Sequence, residues 1–245
     1  MTKYLIAVFL LAAIASGCKK SSEEFVSAPL SDYAPYTVGK YITYQMDSLV
    51  FVNFGSTSEV HTYQVKYEVD AEITDNLGRP AYRIIRYIRT LPTQAWNPDA
   101  TFMAINTGSS LEFVENNERY VKLRQPVRDG YSWKGNTYID TYSLYSDKKY
   151  LDGWDYIYNG VDIPETINGF NLEILTVDQR DEVIGNPNDP NSYSEINIGK
   201  EKYAKGIGMV YRNFLHTEYQ PPVPGRDGHF VDGSYGITLT MIDHN

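Results

Sequence analysis

The chain has 245 residues, with 22 Lys and Arg against 31 Asp and Glu, a formal net charge of −9, and one cysteine. An acidic balance with no basic stripe repels phosphate backbones and argues against nucleic-acid binding. One cysteine leaves no intrachain disulfide or multi-thiolate metal centre, and a chain of this length buries enough core to fold without either.

The chain opens Met1-Thr2-Lys3 and runs without charge from Tyr4 to Gly17, aliphatic over most of Leu5 to Ile14. One cation followed by a short apolar stretch is the layout of a signal peptide. A membrane-spanning helix needs about 20 apolar residues, and this run stops at Cys18-Lys19-Lys20. The small residues Ala15, Ser16 and Gly17 before Cys18 resemble the lipobox of bacterial lipoproteins, with Ala15 where Leu is more usual. The resemblance implies that residues 1–17 are removed and that Cys18 carries a diacylglycerol thioether and an N-acyl chain. The chain would then sit on the outer membrane of a cell envelope, periplasmic or surface-exposed. Two or more acyl chains anchor stably where one does not, and no further cofactor is expected.

Residues 18–33 read as the lipidated cysteine and a flexible tether, because Ser, Glu, Ala and Pro dominate from Lys19 to Tyr33 without an apolar period. Lys-Lys-Ser-Ser-Glu-Glu at 19–24 resembles the acidic signals that send some Bacteroidetes-type lipoproteins to the cell surface; a solvated acidic tether has the same composition.

A single all-β domain is expected over 34–245. Its clearest strand runs from His61 to Ile73, where Tyr63, Val65, Tyr67, Val69, Ala71 and Ile73 alternate with polar residues. The turn at 74–80 supplies Asp, Asn and Gly, and Tyr82 to Arg89 returns as the second arm of a hairpin. Further strands are expected at Tyr41 to Phe54, Thr101 to Ile105, Leu111 to Glu115, Arg119 to Arg124, Phe170 to Gln179, Gly208 to Tyr219 and Gly236 to Ile242. No helical period persists over three turns. Strands joined by turns predict an antiparallel meander that forms a curled half-barrel or barrel, with a β-sandwich as the alternative. The 22 tyrosines suit pleated surfaces, where the ring packs and the hydroxyl reaches water.

Signals of chemistry are sparse. His61, His216, His229 and His244 show no metal-pair spacing, and Gly233-Ser234-Tyr235-Gly236 falls one residue short of a nucleophile elbow. Asn186, Asn188, Asp189 and Asn191 supply oxygens in one loop but lack the acidic alternation of an EF-hand. No catalytic, metal or cofactor residues are assigned, and no enzymatic activity is expected. The strongest ligand-binding candidates are Trp154, Tyr156 and Tyr158, flat rings beside Asp152, Asp155 and Asn159, together with Trp96. Their spacing equally fits the inward face of a short strand.

Three segments are familiar together: Gly-Arg-Pro-Ala-Tyr-Arg-Ile-Ile-Arg-Tyr-Ile-Arg at 78–89, Glu-Asn-Asn-Glu-Arg-Tyr-Val-Lys-Leu-Arg-Gln-Pro-Val at 115–127 leading to Trp133, and Glu-Lys-Tyr-Ala-Lys-Gly-Ile-Gly-Met-Val-Tyr-Arg at 201–212. They resemble uncharacterised Bacteroidetes-type envelope lipoproteins, a group with no assigned reaction to carry over. The last segment is also similar to the closing strand of lipocalin-like, curled-sheet lipoproteins, with Gly206 and Gly208 allowing a bend. The expectation is a non-catalytic, membrane-anchored binding or carrier module for an amphipathic or hydrophobic ligand. The alternatives are an accessory subunit of an envelope protein complex and, third, a glycan-acting enzyme.

Overall fold

A computed structural model describes residues 26–245; the leader and Cys18 lie outside the described residues. The fold is all-β, as the period-two alternation predicts. Six strands form a first meander: β1 Tyr41–Val52, β2 Thr57–Thr74, β3 Pro80–Arg89, β4 Asn97–Asn106, β5 Ser110–Glu115 and β6 Glu118–Arg124. A second meander holds β7 Ser132–Lys134, β8 Asp155–Tyr158, β10 Phe170–Gly185, β11 Ser194–Ala204, β12 Gly208–Gln220 and β14 Tyr235–His244. Two short strands, β9 Ile163–Ile167 and β13 His229–Phe230, pair outside this order with β10 and β12.

The two meanders join where the first and last strands pair, Tyr44 opposite Met241 and Met46 opposite Leu239. The result is a twelve-strand antiparallel sheet curled almost into a barrel, with one seam between β6 and β7. Few bonds cross that seam. Val121 N–H donates to the Gly135 carbonyl at 2.8 Å, and Trp133 Nε1 donates to the Val121 carbonyl at 2.7 Å. Tyr158 Oη both accepts from Arg124 N–H and donates to the Arg124 carbonyl, each at 2.8 Å.

Register sets what points inward. One continuous row of facing residues runs Tyr158, Val177, Glu201, Arg212, Leu239, Met46, Tyr63 across six neighbouring pairs. Outward positions of β2 carry Gln64, Lys66, Glu68 and Asp70, the reverse of the apolar belt that a lipid-facing barrel shows. Among the described residues no helix is long and apolar enough to cross a membrane.

The boundary placed at residue 34 moves. Leu30–Asp32 forms a 3-10 turn, and Leu30 and Tyr33 are fully buried in the main core cluster. Ser27 Oγ bonds Gln125 and Val127, the Asp32 carbonyl accepts from Gly206 N–H at 2.7 Å, and Tyr33 Oη donates to Asp162 at 2.6 Å. Residues 27–34 are therefore a strap across one end of the barrel, where the polar composition had suggested tether. A few apolar anchors suffice, because the barrel end supplies the partners.

Candidate ligand-binding interior

The interior is divided by a charged quartet that reaches from one meander to the other. Glu115 on β5 and Lys122 on β6 face Glu201 on β11 and Arg212 on β12, the last two directly paired in register. Lys122 Nζ donates to Glu201 Oε1 at 2.7 Å, and Arg212 Nη1 donates to Glu115 Oε2 at 2.9 Å. Tyr203 Oη donates to the other Glu201 oxygen at 2.7 Å. Glu201 has no exposed surface, and Lys122 and Glu115 are also buried.

Charges taken out of water persist only when paired, and the protonation preferences reflect that. Burial pushes the Glu115 carboxyl upward, but Arg212 and Lys122 beside it outweigh burial and hold it at about 2. For Glu201 burial is likewise overcome, by Lys122 and Arg212, so it stays below the ordinary carboxylate range. Burial would lower Arg212, and Glu115 and Glu201 instead hold it above its ordinary value. Burial raises Tyr36, Tyr44, Tyr156 and Tyr203, which remain neutral hydrogen-bonding rings around the quartet at physiological pH.

On one side of the quartet lies a cavity of about 70 Å³, walled by residues such as Tyr44, Tyr67, Ile84, Leu111, Phe113 and Met209 and floored by the four charges. Its outer rim holds Pro35, Lys40, Tyr41 and Ile207, all half-buried, at the end of the barrel that the strap crosses. On the other side lies a cavity of about 80 Å³, lined by the quartet members Glu115, Lys122 and Arg212 with Arg86, Tyr120, Trp154, Tyr156, Gln179 and Phe214. The cavities share Tyr67, Glu115, Lys122 and Arg212.

The sequence-predicted site residues separate into three groups. Trp154 and Tyr156 line the second cavity, and both are anchored: Trp154 Nε1 donates to the Tyr150 carbonyl at 2.7 Å, Tyr156 Oη to Asn136 Oδ1 at 3.1 Å. Tyr158 instead stitches the seam through Arg124. These three are 3%, 2% and 1% exposed, so Tyr156 and Tyr158 form the inward face of the short strand β8 and Trp154 is buried immediately before it. Trp96 stands apart on the outer surface, its ring 4.1 Å from the Arg89 guanidinium, and shares no cavity with them.

Sequence reading missed the quartet and Gln179. The one available signal was on β12, where Val210, Arg212, Phe214 and His216 alternate inward and place a cation among apolar neighbours. On β11 the pattern runs in reverse, with Asn197, Gly199, Glu201 and Tyr203 buried and Ile196 and Ile198 half-exposed, so no apolar face marks it as a strand. Comparisons with protein-family models, with curated proteins and with solved structures return no significant match.

Proposed function

We propose that this chain is a non-catalytic binding module of the cell envelope, anchored through lipid on Cys18, which takes a small amphipathic ligand into the cavity beneath the strap. The observation that carries the reading is the combination of apolar walls and a charged floor in one pocket, which suits a ligand with an apolar body and a polar end. The position of the rim supports it. Nine residue steps separate Cys18 from Ser27 at the start of the strap, a reach of at most about 30 Å. The rim would therefore face a membrane holding the lipid, and an amphipathic ligand could pass from one to the other.

Native mass spectrometry of the chain purified from envelope extract tests this. One bound species at unit stoichiometry, lost in Leu111→Trp where the indole fills the pocket, is the expected result. Protein that stays empty after incubation with the same extract's lipids would refute it. Radiolabelled palmitate should enter the wild type and not Cys18→Ser.

The accessory-subunit reading has its own support at the opposite end of the barrel. There Phe54, Tyr142, Leu144 and Tyr145 are 99%, 78%, 76% and 93% exposed on the β1–β2 turn and the loop after β7. Photo-crosslinking from position 145 in intact cells should capture a protein partner if that end docks one.

A further inference from the structure

Three buried side-chain atoms that line the second cavity have no hydrogen-bond partner among the described residues: Gln179 Nε2, Arg212 Nε and Glu115 Oε1. Gln179 is 5% exposed. The nearest opposite charges fall outside hydrogen-bond reach, with Lys122 Nζ 3.6 Å from Glu115 Oε1 and Glu201 Oε1 3.8 Å from Arg212 Nε. Buried polar groups are normally paired, because an orphan loses its hydration without replacement. Two unpaired donors and one unpaired acceptor on one cavity describe the complement of a ligand: a group that accepts at one atom and donates at another.

Charge balance narrows the group further. Lys122 and Arg212 are matched by Glu115 and Glu201, and Arg86 by its ion pair with Asp99. A head group with net charge would enter a low-dielectric space that is already neutral, with no counter-charge free to receive it. The walls beside the orphan atoms are flat rings, Trp154, Tyr156, Tyr120 and Phe214. A planar group can lie against such surfaces while its edge bonds to the polar atoms.

We infer that the polar end of the ligand is an uncharged planar donor–acceptor group of the carboxamide or ureide class, its carbonyl toward Arg212 and Gln179 and its N–H toward Glu115. This rests on the binding reading above and extends it: the apolar body lies in the cavity beneath the strap, and the polar end reaches past Glu115, Lys122 and Arg212, which line both cavities, into the second. Three probes with one tail and different heads separate the two ideas: hexanamide, hexanoate and hexylammonium. They are titrated calorimetrically at pH 7 into the full chain produced in a secreting bacterial host and reconstituted in nanodiscs, with empty nanodiscs as reference. Hexanamide should bind at least tenfold more tightly than either charged probe. Gln179→Leu, which keeps the volume, should reduce the advantage over hexanoate to under threefold with near-ultraviolet circular dichroism unchanged. If all three bind alike, or a charged probe binds best, the head-group assignment falls and the pocket reading stands. If none binds, both fall; if Gln179→Leu keeps full selectivity, the assignment of Gln179 is overturned.

Discussion

Arg212→Met tests whether the interior is held by its charges or merely contains them. At an effective dielectric of about 20, unit charges at the 2.9 Å separation of Arg212 and Glu115 attract by roughly 6 kcal/mol, and at the 3.8 Å separation from Glu201 by roughly 4 kcal/mol. Desolvation of the three ions offsets much of this, so the expected cost is that of leaving a buried carboxylate uncompensated, about 3–5 kcal/mol. Urea denaturation at pH 7, followed by tryptophan fluorescence, should show the loss as a lower midpoint with an unchanged slope. The loss should shrink at pH 5. Without Arg212, only Lys122 opposes burial at Glu115, so its carboxyl titrates higher than in the wild type and acid neutralises more of the charge that the variant balances incompletely. The double variant Arg212→Met/Glu115→Gln should recover about 1–3 kcal/mol relative to the sum of the single changes. A loss below about 1 kcal/mol at pH 7, or one that does not change with pH, would refute the view that the quartet is a tightly coupled unit.

Wild-type stability should fall in acid in two steps. His216 is held below 6.5 by burial, with its ring stacked on Tyr150 at 3.9 Å, so its contribution is full above 6.5 and declines as pH drops below it. Glu115 and Glu201 are held below 4.5, so theirs declines as pH falls from there towards 2, and thermal melts across pH 2–8 would display both. Gly199→Ala should cost about 1–3 kcal/mol by overpacking, since the added Cβ would lie 2.6 Å from the Trp154 ring and 2.8 Å from Gln179 Oε1; its denaturation midpoint checks this. Trp133→Phe removes the donor to the Val121 carbonyl together with part of a buried indole, and at least about 1–3 kcal/mol should be lost. Hydrogen exchange should then quicken at Val121 and Arg124 along the seam, where wild type is protected.

The alternation of β2 and the turn at 74–80 made the first hairpin legible, because Tyr63, Val65, Tyr67 and Val69 alternate with polar residues on the wet face; a bulge between Val69 and Ala71 then shifts the register, which the sequence pattern does not reveal. The sheet's second half was less so. β10 continues six residues beyond Gln179 to Gly185, through Arg180, Asp181 and Glu182, where both faces are polar. β7 and β8 are three and four residues long, too short for a period to declare itself. Closure into a barrel depended on β1 meeting β14, a contact between residues nearly the whole chain apart, which no local pattern encodes.

The same physics explains why aromatic candidates were visible and the charged ones were not. Trp154 and Tyr156 advertise themselves by size, and they do reach the interior, but as walls fixed by their own hydrogen bonds. Glu115, Lys122, Glu201 and Arg212 look individually like solvent-facing strand residues, and only the register that places two meanders opposite each other turns them into an interior group. A packed apolar plug would have closed this barrel as well, and buried ion networks are frequently no more stabilising than apolar replacements. What the quartet adds is a polar partition, with a cavity on either side and with unpaired hydrogen-bonding atoms on its members. Gln179 Nε2, Arg212 Nε and Glu115 Oε1, without partners among the described residues in a core this aromatic, are the atoms on which the proposed ligand recognition turns.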